Sequence, residues 1–434
     1  MHFFDTILPL ALVAASATNA WPILKSAPGS KQIPNSYIVV MKPNITDEKF
    51  ESHRSWVSSK LSASESTVSN AGVRKDFNFG DHFKAYSGIF DADFLKHISD
   101  DEDVHYIESD IVVKLKTPVV QVDAPSWGLG RISSIQPGKT DFNYDSSAGE
   151  GITAYVIDTG IDVNHTEFGG RAIWGTNTVD SLDEDCGKHG THVAGTIAGT
   201  TYGVAKKANL VAVKVFSCDE DGAGTSIIEG MSWAVKHAKE HGDPKKSVMN
   251  LSLGGPYSRS FNEAAAAVVA AGFFVAVAAG NEEMDAAKTS PASEITVCTV
   301  GATDSHDKIA SFSNFGSVVD VFAPGVDIVS SIPGGKSDKY SGTSMASPHV
   351  AGLAADLMAR EGISGGSVCE RIKELAQDSV KGVPNGTTTK LIFNGASKYH
   401  RYRKAKHAKN GKPKHSKHSK QSSKHSKHSE PSFS

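Results

Sequence analysis

Ile152-Thr-Ala-Tyr-Val-Ile157, followed at once by Asp158-Thr-Gly160, is the stretch from which the fold can be read. Six uncharged, largely apolar residues have the length of a strand. A strand without a polar face belongs in a sheet covered on both sides, as parallel sheets are. The pattern repeats outward along the chain. Residues 210–215, 248–251 and 273–279 are further apolar runs, and 295–300 and 318–322 two more. Between them, Ile227, Ile228, Met231, Ala234, Val235 and Ala238 recur at helical spacing. Residues 263–271 read as a second helix, capped by Asn262 and ended by Gly272. Strands alternating with helices predict an α/β domain with parallel pairing and right-handed crossovers. Several polar residues directly follow strand ends, where open α/β sheets hold their ligands.

The chain has 434 residues, 39% of them hydrophobic, with 40 glycines. That is a globular, loop-rich composition, long enough for two or three domains. Residues 7–15 are apolar and lead to the small residues Ala17-Thr-Asn-Ala20. They predict a signal peptide over 1–20, although its first residues carry Asp5 and no Lys or Arg. No other apolar run reaches the roughly 20 residues of a membrane span. A soluble protein of the secretory route follows, secreted or delivered to a vacuole- or lysosome-like compartment.

Cys186, Cys218, Cys298 and Cys369 are an even set that allows three connectivities. The sequence-neighbour pairing, Cys186–Cys218 with Cys298–Cys369, is the favoured one. Each bridge would contribute about 3–4 kcal/mol in the chain-entropy model. There is no Cys-x-x-Cys, so nothing supports a zinc or redox motif. Sequons stand at Asn44, Asn164, Asn250 and Asn385. Asn250 falls in an apolar strand and is not expected to carry glycan; the other three are surface candidates.

Upstream, residues 37–41 read as a strand, and Phe50, His53, Trp56 and Leu61 mark an amphipathic helix. A strand over 83–90, a helix over 93–98 and one or two strands within 104–113 follow. This order predicts a small α+β unit of the split βαβ kind over about 35–115. It holds no cluster of catalytic residue types. Downstream, residues 398–434 are rich in Lys, His and Ser and contain one acid, Glu430. The net charge of −3 therefore hides an acidic body and a basic tail. The tail has no apolar face and is expected to be disordered. Its histidines suit a transition metal, and its lysines an anionic cell-wall or membrane surface. Nothing points to nucleic acid.

Three motifs carry chemistry. Asp158 ends a buried strand, where a carboxylate needs a partner such as an imidazole N–H. His189-Gly-Thr-His-Val-Ala-Gly-Thr196 places a histidine ahead of a small-residue helix. Ser341-Gly-Thr-Ser-Met-Ala-Ser-Pro-His-Val-Ala-Gly352 delivers Ser344 to the start of another helix, where free N–H groups stabilise negative charge. A serine nucleophile needs a base, and the base an orienter. Asp158, His189 and Ser344 supply the set.

With these motifs the chain resembles the subtilisin-like serine proteases, within them the proteinase K and cerevisin branch. The resemblance runs from Ala124-Pro-Ser-Trp-Gly-Leu-Gly-Arg131 to about Asn394. The chain order Asp158, His189, Ser344 is that of subtilisin, which the general description of these motifs already gives. The resemblance implies a three-layer domain over 120–397 in which Asp158 orients His189, His189 acts as base and acid, and Ser344 attacks the peptide carbonyl. His192 is expected to be structural. In Ala278-Ala-Gly-Asn281, Asn281 would be the oxyanion-hole side chain. Gly222, Ala223 and Gly224 with Ser252, Leu253 and Gly254 would be the strands flanking an extended peptide. Gly254, Ala278, Ala279 and Gly280 would line a roomy apolar S1 pocket that favours large apolar or aromatic P1 residues. Glu282, Glu283 and Asp285 would either form a solvated loop or attract basic side chains at its rim.

Further implications follow from the same resemblance. The upstream unit would be an I9-type inhibitor propeptide within 21–119, removed by self-cleavage near Val119 or Val120. No cofactor serves catalysis, but a structural calcium ion would take Asp320 and the carbonyls of Ile295 and Val297. Partners would be protein and peptide substrates and the chain's own propeptide, on a monomer. Lys188 stands where the family usually has Gly, and a cation there is expected to lower the His189 pKa. The alternatives are a dibasic processing protease and a non-catalytic surface or metal-binding protein that works through its tail.

Overall fold

The structure is a computed structural model that describes residues 23–24, 32–63, 67–80, 82–112 and 118–396. The expected signal peptide (1–20) and basic tail (398–434) lie outside the described residues.

In the first domain, β1 (Gln32–Met41) leads to α1 (Asp47–Ser62), whose first turn is capped by the Thr46 hydroxyl accepting the Lys49 N–H. Then come β2 (Gly72–Asn78), β3 (Lys84–Ile89), α2 (Ala92–Ser99), capped by Asp91, and β4 (Val104–Ile111). The strands pair antiparallel in the order β4-β1-β3-β2, with Ile23–Leu24 parallel to β4 on the outside. This β-α-β-β-α-β order is the ferredoxin-like split βαβ unit. Both helices cover one face of the sheet, over a core that includes Val39, Phe50, Tyr86, Phe90, Ile98 and Ile107. The sequence reading lacked β2. Gly72-Val-Arg-Lys-Asp-Phe-Asn78 is polar and largely exposed, as an edge strand can be.

The second domain opens with β5 (Pro118–Gln121), paired antiparallel with β6 (Phe142–Asp145), and α3 (Trp127–Ile132) between them. The core sheet follows in chain order. It comprises β7 (Thr153–Asp158), β8 (Ala172–Asn177), β9 (Asn209–Lys214), β10 (Ser247–Leu251), β11 (Phe274–Ala278), β12 (Cys298–Thr303) and β13 (Val321–Pro324). All seven are parallel, in spatial order β13-β12-β11-β10-β7-β9-β8. The short strands Lys390–Leu391 and Gln377–Asp378 extend the β13 edge.

Alternation along β7 divides the core. Ala154 and Val156 face one layer, with α4 (His189–Ala198) and α7 (Thr343–Glu361). Tyr155 and Ile157 face the other, with α5 (Gly224–His241) and α6 (Arg259–Ala270). A sheet buried on both faces by helices is the three-layer arrangement the apolar runs imply. A hairpin of β14 (Ile328–Ile332) and β15 (Lys336–Tyr340) precedes α7, and α8 (Ser367–Leu375) follows it. Cys186 is bonded to Cys218, joining the loop before α4 to the loop after β9. Cys298 is bonded to Cys369, joining β12 to α8.

Three boundaries differ most from the sequence reading, one of them the strand expected over 318–322, which begins only at Val321. α6 begins at Arg259, not Glu263, because Asn262 is inside the helix, buried, with its amide donating to Ser293 Oγ at 2.8 Å. The strand expected over 295–300 begins only at Cys298, and Ile295 is 87% exposed in the preceding loop.

Candidate active site

Asp158 closes β7 and is fully buried. Its Oδ1 accepts the backbone N–H of Thr159 at 2.8 Å and lies 2.8 Å from Nδ1 of His189. His189 is the first residue of α4 and stays half-buried, so its outer edge opens to the cleft. Gly190 next to it is required: a Cβ there would stand 2.1 Å from the Gly160 carbonyl.

The start of α4 is held by Asp185. This buried carboxylate accepts the N–H groups of Lys188 and Thr191, each at 2.8 Å, and the Thr159 hydroxyl at 2.7 Å. The Thr191 hydroxyl donates to it as well. It therefore satisfies donors that a helix start leaves unpaired. Burial raises the Asp185 pKa, although the Thr191 and Thr159 hydrogen bonds pull it back.

Burial disfavours the His189 cation, but the charge and hydrogen bond of Asp158, aided by Glu220 and Asp185, outweigh it. The His189 pKa is held above its ordinary value. This overturns the expectation that Lys188 lowers it. Lys188 is exposed, in a left-handed conformation (φ 67°), and the acids around the ring decide the sign. His192, by contrast, is fully buried, with Nε2 3.0 Å from the Ile328 carbonyl and its ring stacked on Tyr340. Burial pushes it down to about 4.

Ser344 occupies the first turn of α7, where N–H groups are left without helical partners. Pro348 sits four residues on. Lacking an N–H, it leaves the Ser344 carbonyl without its helical donor. The Ser252 hydroxyl takes that place at 2.7 Å. In return Ser344 Oγ donates to the Ser252 carbonyl at 3.1 Å. Behind them, Asn250 Nδ2 donates to Ser252 Oγ at 2.9 Å, and Ser347 Oγ donates to Asn250 Oδ1 at 2.8 Å.

Asn281 follows β11. Its Oδ1 accepts both the N–H and the hydroxyl of Thr343 at 2.8 Å. Two donors on one side identify the oxygen, so Nδ2 is the free end. The loop is fixed by Asn314, fully buried, which accepts from the N–H groups of Glu282 and Met284 and donates to the Ala279 carbonyl and Glu282 Oε2.

One cavity of about 480 Å³ brings these groups together. Asp158, His189, Asn281 and Ser344 line it, with Ser252, Leu253, Gly254, Ala278, Ala279 and Gly280. Phe216, Glu220, Glu282 and Lys288 are also on its wall. Gly222, Ala223 and Gly224 are exposed beside it and do not line it. Gly222 makes room for Phe216, whose ring would be 2.5 Å from an added Cβ. Of the rim acids, Asp285 caps a turn by accepting the Ala287 N–H, and Glu282 is engaged by Asn314.

The expected calcium ligands do not fit a divalent ion. Asp320 Oδ1 is paired with the Lys373 ammonium at 3.2 Å, and Oδ2 accepts the Thr299 N–H at 3.0 Å. Glu370 flanks the same ammonium at 2.5 Å. Cys298 and Cys369 come close to Asp320, but their sulfurs are spent in a disulfide. An internal cation already neutralises the carboxylate.

Sequence reasoning missed Asp185, Thr343, Asn314 and the role of the Ser252 hydroxyl. The pairing of Pro348 with the carbonyl four residues back was a usable signal; the contacts of Asn314 and Asp185 depend on tertiary placement alone.

Comparison with known proteins gives concordant matches. The model of the subtilase family matches residues 149–410, and that of peptidase inhibitor I9 matches residues 36–116. A subtilisin-like protease of Coccidioides posadasii is 52% identical, covering 92% of this chain and all of its own length. Subtilisin-like protease 6 of Trichophyton equinum is 50% identical over 92% of this chain and all of its own. The crystal structure of a cold adapted subtilisin-like serine proteinase is 42% identical, covers 62% of this chain and 97% of its own, and superposes with a TM-score of 0.59.

Proposed function

The chain belongs to the subtilase family of serine endopeptidases, with an I9 inhibitor domain ahead of the catalytic one, and from that premise we propose how its site works. Ser344 Oγ attacks a peptide carbonyl while Nε2 of His189 takes its proton. Asp158 holds the Nδ1–H and stabilises the imidazolium. The oxyanion of the tetrahedral intermediate accepts the Ser344 N–H and Nδ2 of Asn281. His189 then protonates the leaving amine, and water releases the acyl group by the same steps in reverse. As a subtilase the chain uses no catalytic cofactor.

The contact of 2.8 Å between His189 and Asp158, with Ser344 in the same cavity, supports this reading most directly. A sulfonyl fluoride should label Ser344, located by peptide mass mapping, and abolish casein hydrolysis. Labelling elsewhere, or activity in Ser344→Ala, would refute it.

The substrate is an extended peptide that adds to the edges at Gly222–Gly224 and Ser252–Gly254. The small residues Gly254, Ala278, Ala279 and Gly280 leave room for a large apolar or aromatic P1 side chain, and cleavage is broad. Because Glu282 is engaged by Asn314, a strict requirement for Lys or Arg is not expected. A P1 library scan that returned one would replace this reading with that of a dibasic processing enzyme. The I9 domain blocks the cleft until self-cleavage near Val119 or Val120. The product leaves the cell as a monomer. Asn44, Asn164 and Asn385 are exposed and carry the glycans, whereas Asn250 is fully buried.

A further inference from the structure

The other end of the sheet holds a second cavity, of about 630 Å³. It opens where β7, β9 and β10 begin, whereas Asp158 stands where β7 ends. His237 and His241, four residues apart on the last turns of α5, both line it, with Tyr155 and Asp243. Histidines at this spacing on one helix face can share a metal ion.

Two features prepare His237 for such a role. Its Nδ1 is 2.9 Å from the Tyr155 hydroxyl. With Nδ1–H donating to that oxygen, Nε2 carries the lone pair; an outer hydrogen bond of this kind orients metal-ligating histidines. One face of the ring stacks on Trp233, at 4.7 Å, which holds it while His241, stacked on the other face at 4.6 Å, swings to the ion. His241 is exposed, and its Nδ1 makes one long contact with the His237 carbonyl, 3.4 Å. It is free to turn out of the stack and present a nitrogen beside Nε2 of His237.

We propose that His237 and His241 bind a divalent transition metal ion, with water completing its shell, at a site remote from the catalytic cleft. Asp243 Oδ1 accepts the Lys245 N–H at 2.9 Å. Two nitrogen donors select zinc, copper or nickel over calcium or magnesium. Two cations, Arg171 and Lys246, line the same cavity and oppose the charge of the ion. The Arg171 guanidinium is turned to the carbonyls of Ala208 and Glu167, at 2.7 and 3.0 Å. Glu240 and Asp243 offset them. Protons compete for both imidazoles, so binding weakens as pH falls.

The stacked tryptophan reports on the site. The full-length Ser344→Ala chain, which cannot cleave itself, is titrated with copper(II) chloride while tryptophan fluorescence is followed. Comparison with Trp233→Phe isolates the signal of Trp233 from that of the other four tryptophans. The Trp233 signal should quench with saturation, and His241→Ala should raise the half-saturating copper by at least about tenfold. Excess EDTA should restore the fluorescence by removing the ion. His241 is exposed, so its loss leaves the fold intact, and total copper bound, measured by dialysis, separates the histidines of residues 398–434 from this site. The proposal fails if Trp233→Phe quenches like the parent, or if His241→Ala leaves the midpoint unchanged. Either result would leave the tail as the metal carrier.

Discussion

Ser344 Oγ donates to the Ser252 carbonyl, so the nucleophile must turn to meet Nε2 of His189 when substrate arrives. Catalytic hydrogen bonds often tighten only in the Michaelis complex. Asn281 is ready in advance, because Thr343 pins its oxygen twice. Thr343→Val removes one of the two pins while keeping the shape. It should lower kcat by about tenfold with little change in KM, less than the 10²–10³ typical of losing an oxyanion donor outright. Thr343→Ser should restore the rate; equal kcat in all three would show that the pin is idle. A second outcome follows from His189. Its cation is favoured by Asp158 over the opposing effect of burial, and the protonated form cannot act as base. The acid limb of kcat/KM should therefore have its midpoint above the ordinary imidazole value of about 6.5. Asp158→Asn should shift the limb downward as well as slow the reaction. The places of Asp158, His189, Ser344 and Asn281 in the fold were legible because each follows a strand end or opens a helix, where local sequence marks the place. Thr343 was hidden in plain view. Its hydroxyl matters only because β11 brings Asn281 against α7, and no local pattern encodes that approach.

At the level of elements, α7 is unusual in being buried from Thr343 to Met358 apart from Ser344. It carries an acid in that setting, Asp356, with the Arg360 Nε at 3.7 Å. Burial, aided by Asp145 and Glu361 and opposed by Arg360, pushes its pKa up to about 7. The unfolded chain titrates near the ordinary 3.9 or so. Between these values the folded state holds the extra proton, so stability is lost as pH rises from about 4 to about 7. The shift corresponds to a loss on the order of 4 kcal/mol. Asp356→Asn should flatten that dependence and be more stable than the parent at pH 8. Denaturant unfolding of the two chains across this range is the measurement, and equal slopes would sink the argument. The apolar strands 152–157, 210–215 and 248–251 were readable to within a residue because burial on both faces leaves no ambiguity of pattern. β2 and β8 were not, since edge strands carry polar side chains and resemble loops. α6 was misplaced at its start because a buried asparagine looks like a cap until Ser293 is seen against it.

On the scale of the molecule, the core covered by α4 and α7 is closed at one margin by a covalent bond. Cys298–Cys369 ties β12 to α8, and the Asp320–Lys373 pair lies beside it. Since Lys373 stands where a divalent ion would, the Tm of the mature protein should be the same in EGTA and in calcium chloride. A drop in EGTA would mean that an ion displaces the lysine or binds at another place. Domain order was evident from composition and motif alone. The internal cation was not, because Lys373 is distant from Asp320 in sequence and reaches it only through the packing of α8. For the self-cleavage proposed above, the short ladder of β5 on β6 would supply a direction. Acyl transfer can run backward while the freed amine remains beside the acyl-enzyme. Pairing of Val120 with Asn143 and Gln121 with Phe142 draws the new chain end onto the body of the enzyme. Returning it would break those main-chain hydrogen bonds, at about 1 kcal/mol each. On the proposed cleavage, hydrolysis would then outrun religation, and the part of β5 left on the enzyme would act as a ratchet that keeps an opened zymogen from resealing itself.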